Sequence, residues 1–68
     1  MELSARNQLD ATVKDVKVGT IMAGVTVDVG GQDVVAAITR GSVERLGLGQ
    51  GGEVKVIVKA TGVMLARE

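Results

Sequence analysis

The run IMAGVTVDVGGQDVVAAIT, residues 21–39, decides the fold. Ile21, Ala23, Val25, Val27 and Val29 alternate with Met22, Gly24, Thr26 and Asp28, the period of a strand with one buried face. Gly30-Gly31 separates this run from a second one, Gln32 to Thr39. Two glycines in that place predict a tight hairpin, because both reach positive φ without a Cβ clash. In the second strand Val34, Ala36 and Ile38 share one face, and Val35 and Ala37 share the other. A strand apolar on both faces is expected to be covered on both, so its outer side points to a contact with another subunit.

On the N-terminal side, Leu9, Ala11 and Val13 alternate with Gln8, Asp10 and Thr12, and the apolar parity then shifts to Val16 and Val18. A one-residue slip near Lys14-Asp15 predicts a β-bulge, which supplies the bend a closing barrel needs. Gly19 permits the turn that follows. On the C-terminal side, Gly41-Ser42 opens the only helical stretch, with Ser42 as N-cap and Gly47 as the stop. Gly49, Gly51 and Gly52 make the connection to a fourth strand, in which Val54, Val56 and Val58 alternate with Glu53, Lys55, Ile57 and Lys59. Thr61-Gly62 turns the chain into a short fifth strand, Val63 to Ala66. The expected fold is therefore all-β: one domain over residues 1–68, an OB-like five-stranded Greek-key barrel with one short helix between strands 3 and 4.

Composition narrows the function. Lys+Arg and Asp+Glu are equal at 8 each, so no global field draws nucleic acid or an anionic membrane. Single-strand binders of this fold use aromatic platforms, and Phe, Tyr and Trp are all absent. Cysteine and histidine are absent too, which removes disulfides, the commonest transition-metal ligands and the usual general base. With no nucleophile motif and no paired carboxylates, an enzyme is not expected. Val, Ile, Leu, Ala and Met must fill the core alone. A short chain without aromatics, disulfides or a structural metal is expected to gain stability by burying surface between subunits. No apolar run is long enough for a membrane helix, and no signal-peptide pattern opens the chain, so the expected location is the cytoplasm.

Ser4-Ala5-Arg6-Asn7-Gln8 carries the first hint of a site. In extended chain, residues two apart project from one face, so Ser4 and Arg6 can address one ligand together. A rotatable O–H donor beside a permanent planar cation suits a small oxyanion, although the same pair also describes a solvated strand edge.

That block, followed by Leu9, stands with Ala37-Ile38-Thr39, with Ser42-Val43-Glu44-Arg45-Leu46-Gly47-Leu48, and with Val58-Lys59-Ala60-Thr61-Gly62-Val63-Met64. In this order and spacing the chain resembles the molbindin (Mop) family along nearly its whole length. The resemblance implies a cytoplasmic protein that binds molybdate or tungstate as an intact oxyanion, with no metal ligands and no catalytic cofactor. It also implies a homohexamer, a trimer of dimers, serving as an intracellular store. Similar domains are fused to molybdate-responsive regulators and transporter ATPases, so the alternative is a stand-alone sensing module that signals to a partner protein. Carried over residue by residue, the main site would hold Ser4, Ala5 and Arg6 of one subunit facing Thr39, Lys59 and the Ala60 N–H of a neighbour. Lys17, Val18 and Gly19 would form a further oxyanion site near a threefold axis, the Gly19 N–H acting as a donor. Read without the resemblance, Thr39 ends a strand, Lys59 is a solvated edge charge, Ser42 is a cap, and Lys17-Val18-Gly19 is a turn beside a bulge.

Overall fold

The computed structural model describes residues 3–68; Met1 and Glu2 of the expected 1–68 domain lie outside the described residues. Strands β1 (Asn7–Val18), β2 (Met22–Val29) and β3 (Gln32–Thr39) are followed by helix α1 (Arg40–Leu46), strand β4 (Glu53–Val58) and a 3-10 turn, Ala60–Gly62. The strands form one antiparallel sheet in the order β3-β2-β1-β4.

The local signals act where the sequence places them. Gly30 and Gly31 have φ of 58° and 90°, and Val29 pairs with Gln32 across them. Positive φ at both central residues is what a type I′ hairpin turn demands. The register of β1 against β2 jumps from Val13–Val27 to Asp15–Thr26, leaving Lys14 as the extra residue of the bulge. Lys14 Nζ lies 2.8 Å from Asp33 Oδ1 on β3, so the bulged residue ties β1 to a strand it does not pair with.

Helix α1 starts earlier than expected. Its N-cap is Thr39, not Ser42: Thr39 has extended backbone (φ −72°, ψ 151°), and its side chain accepts from the Ser42 N–H. Ser42 then falls at the third helical position. The cap goes to whichever residue leaves the strand with its hydroxyl over the first orphan N–H groups, and β3 runs to Thr39. The C-terminus follows the sequence, with Gly47 left-handed at φ 61° and Leu48 N–H returning to Val43 O at 3.1 Å.

Ala11, Val13, Ala23, Val25, Val27 and Val43 make up the buried core. No residue in it is larger than valine. Leu9, Ile21, Val35, Leu46, Met64 and Leu65 are among the large apolar residues left exposed. The expected fifth strand is the main departure. Val63 to Ala66 joins no ladder among the described residues, and Met64 and Leu65 are 92% and 94% exposed. A short apolar run such as Val63 to Ala66 can read as strand, but a strand exists only where a partner backbone meets it. The barrel accordingly stays open between β3 and β4, with an apolar groove of about 230 Å³ between these two edges. No helix among the described residues is long and apolar enough to cross a membrane.

Candidate functional site

The residues singled out in the sequence gather at opposite ends of β1. At its start, Asn7 pairs with Val58, the last residue of β4. Arg6 and Lys59 are the residues just beyond that final rung, one before β1 and one after β4. Ser4 and Ala5 lie just upstream, and Ala60 opens the 3-10 turn. At the other end, Val18 pairs with Ala23, and the next residue of β2, Met22, pairs with Thr39. Thr39 therefore sits with Lys17, Val18 and Gly19. The length of β1, 12 residues from Asn7 to Val18, separates the two groups.

Within one chain Lys59 and Ala60 lie beside Arg6, and Thr39 lies at the far end of β1. β4 runs antiparallel to β1 and ends where β1 begins, so its last residues must meet the N-terminal block. The N-terminal block is not a strand: β1 begins at Asn7, and Ser4 lies in a bend. Gln8 Nε2 donates to Ala5 O at 3.0 Å, closing a local turn, and the 3-10 turn at Ala60–Gly62 ends the partner strand before it could pair with Arg6.

The donors are of the expected kind. Ser4, Arg6, Lys59 and Ala60 are all exposed. As first residue of its turn, Ala60 has no acceptor within it for its N–H. Lys14, Lys55 and Arg40 are held by Asp33, Asp10 and Glu44. Arg6, Lys17 and Lys59, the candidate cations, make no ion pair among the described residues, and neither do Arg45 and Arg67. The paired ones show their partners' effect: a hydrogen bond from Lys55, with its charge, holds the Asp10 carboxyl below the ordinary range, and Asp33 likewise pushes Lys14 up.

Thr39 is half of a small hydroxyl cluster. Its Oγ1 lies 2.8 Å from Ser42 Oγ and accepts the Ser42 N–H at 3.1 Å, while Arg45 Nη2 donates to Ser42 Oγ at 3.1 Å. Sequence reasoning took Ser42 and Arg45 as helix residues only. The signal that could have linked them is the spacing Thr39-x-x-Ser42-x-x-Arg45, one turn of helix per step.

The Gly19 donor read for the further oxyanion site is spent. Gly19 N–H donates to Met22 O at 2.8 Å to close the β1–β2 turn. A Cβ on Gly19 would stand 2.8 Å from that same oxygen, so the glycine is explained by close approach of backbone. Among the described residues no group of His, Cys, Asp or Glu is placed to hold a metal ion. The donor set of Ser4, Arg6, Thr39, Lys59 and the Ala60 N–H contains no carboxylate. It fits an anion rich in acceptor oxygens.

Comparison with known proteins gives a consistent match. The TOBE domain matches residues 3–65. Molybdenum-pterin-binding protein 1 of Clostridium pasteurianum is 41% identical over 66 residues, covering 96% of this chain and 97% of that protein. The structure of a molybdate binding protein from Sporomusa ovata superposes with a TM-score of 0.94 at 45% identity, covering 98% of this chain and 100% of that one. The molybdenum transport protein ModE of Azotobacter vinelandii is 39% identical over 69 residues, which is all of this chain but 26% of that protein.

Proposed function

The chain belongs to the TOBE-domain family, among its molybdenum-pterin-binding (Mop) members, and on that premise we propose that it binds molybdate or tungstate as an intact oxyanion at sites completed between subunits. In this reading Ser4, Ala5 and Arg6 of one chain, with Lys59 and the Ala60 N–H beside them, meet Thr39 of a neighbour. Two cations offset the dianion, and neutral donors fix its orientation. Lys17 and Val18 contribute to a second site through the Lys17 charge. The protein acts as a cytoplasmic store that buffers the oxyanion, without catalysis, in a homohexamer arranged as a trimer of dimers.

One observation carries this reading. The donors lie at opposite ends of β1, so a single chain offers two half-sites and no enclosure. The valine-sized core and the exposed Ile21, Val35, Leu46, Met64 and Leu65 add a physical reason to assemble. The test is calorimetric titration of the purified protein with molybdate, tungstate and sulfate, alongside its mass by light scattering. Saturable binding of the first two by an oligomer is expected, with sulfate weaker. A monomer indifferent to all three overturns the proposal.

A sensing role keeps one observation in its favour, since the whole chain aligns with about a quarter of ModE. Storage and sensing share the site. Ligand-dependent capture of a defined partner from the host cell would favour sensing, and a simple binding stoichiometry without one would favour storage.

A further inference from the structure

Thr39, Ser42 and Arg45 form a hydrogen-bonded line with a direction. A guanidinium has donors and no acceptor, so Ser42 Oγ must be the acceptor in its 3.1 Å contact with Arg45 Nη2. Between the hydroxyls, 2.8 Å apart, either oxygen can donate. If Ser42 donates, the free proton at the end of the line is that of Thr39. If Thr39 donates, it is that of Ser42.

Arg45 decides between them. A cationic donor on Ser42 Oγ draws electron density from that oxygen, making its O–H the better donor and the oxygen a poorer second acceptor. Thr39 Oγ1, already taking the Ser42 N–H at 3.1 Å, then accepts twice and keeps its own proton to give. The Arg45 charge is available for this, because it has no ion pair among the described residues, whereas neighbouring Arg40 is held by Glu44 at 3.1 Å. Ser42 is half-buried, and Thr39 and Arg45 at the two ends of the line are exposed.

We propose that Ser42 and Arg45 are positioning residues that orient the Thr39 hydroxyl as a proton donor toward the bound oxyanion. The inference rests on the reading of Thr39 as a site residue. Its consequence is selectivity. A fully deprotonated tetrahedral dianion offers a lone pair to that donor from any oxygen. A protonated phosphate that turns its own O–H toward Thr39 meets a donor and gains nothing.

The experiment is calorimetric titration of the assembled protein with molybdate, for wild type, Ser42→Ala, Ser42→Thr, Thr39→Val and the double variant Ser42→Ala/Thr39→Val. Losing the orienting bond should weaken binding about fivefold in Ser42→Ala, the size of one neutral hydrogen bond, and Ser42→Thr should restore it. The double variant should bind no more weakly than Thr39→Val alone, because Ser42 acts only through Thr39. Arg45→Met should resemble Ser42→Ala. Thr39→Asp keeps the cap acceptor but sets a carboxylate against the dianion, so it should fold and melt as wild type yet lose binding.

The inference is overturned if Ser42→Ala costs the same factor with and without the Thr39 hydroxyl. It is also overturned if Ser42→Ala lowers the melting temperature and leaves affinity intact, the result a mere helix-capping role gives. In that second case a weakened Thr39→Val shows that the proposed site stands while the positioning role fails. If Thr39→Val and Thr39→Asp both bind as wild type, Thr39 lies outside the site and both readings fail there.

Discussion

Mixing two defective chains tests the shared site directly. Arg6→Ala removes a charged donor from one half-site, and Thr39→Val removes a neutral donor from the other. Arg6 is exposed and without an ion pair among the described residues, so its loss should leave stability within about 0.5 kcal/mol. A hydrogen bond to a charged group contributes about 1.5–3 kcal/mol, so Arg6→Ala should raise the dissociation constant about 10- to 150-fold. Each homo-oligomer should then lack full-affinity sites. In a co-assembled mixture, the Thr39→Val chain still supplies an intact Arg6 half, and the Arg6→Ala chain still supplies an intact Thr39 half. With random assembly and equal amounts, about a quarter of the sites should join two intact halves in a symmetric oligomer. Calorimetry on the mixed assembly reads this as a distinct class of tight sites. If both halves came from one chain, every site would carry one lesion and no tight class would appear. That result, with mixing verified by mass spectrometry, would refute the division of the site between subunits.

Other consequences follow from the fold. Val13 is 1% exposed and has the largest fully buried side chain, so Val13→Ala should cost about 2 kcal/mol in transfer and cavity terms, read by urea denaturation at saturating molybdate. Gly19→Ala places a Cβ against Met22 O and should lower the melting temperature, whereas Gly24→Ala, where a Cβ meets nothing within 4 Å, should not be disfavoured by clash. Asp10 is depressed by Lys55, so its contribution is present above the ordinary carboxylate pKa of about 3.9 and is lost as pH falls through the lower folded value. Lys14 is raised by Asp33, so its contribution is present below about 10.4 and is lost as pH rises through the higher folded value. Both pairs are exposed and the effects small; Lys55→Met should flatten the acid limb of a stability–pH curve and Asp33→Asn the alkaline limb.

Local chemistry made much of the fold legible in advance. The Gly30-Gly31 turn, the slip at Lys14-Asp15 and the Gly47 stop each rest on a backbone requirement carried by one or two residues. The helix start was misplaced by three residues, because two hydroxyls three apart both suit a cap and only the end of β3 chooses between them. The candidate site was legible only through the family resemblance, as residue types and not as an arrangement: Ser4 and Arg6 alone also describe a solvated edge, and Thr39, Lys59 and Ala60 alone read as strand ends. The Gly19 N–H could not be discounted until the turn that consumes it was seen.

Sequence alone determined the alternation along β2, the hairpin, the bulge, and the lack of aromatic, histidine and cysteine chemistry, since each is a property of neighbouring residues or of composition. Tertiary structure alone decided that Lys59 joins Arg6 and that Thr39 stands at the far end of β1, because antiparallel register sets which distant residues meet. It also decided that Val63 to Ala66 joins no ladder among the described residues. A strand's face is written in its own residues. Its partner is written in the rest of the fold.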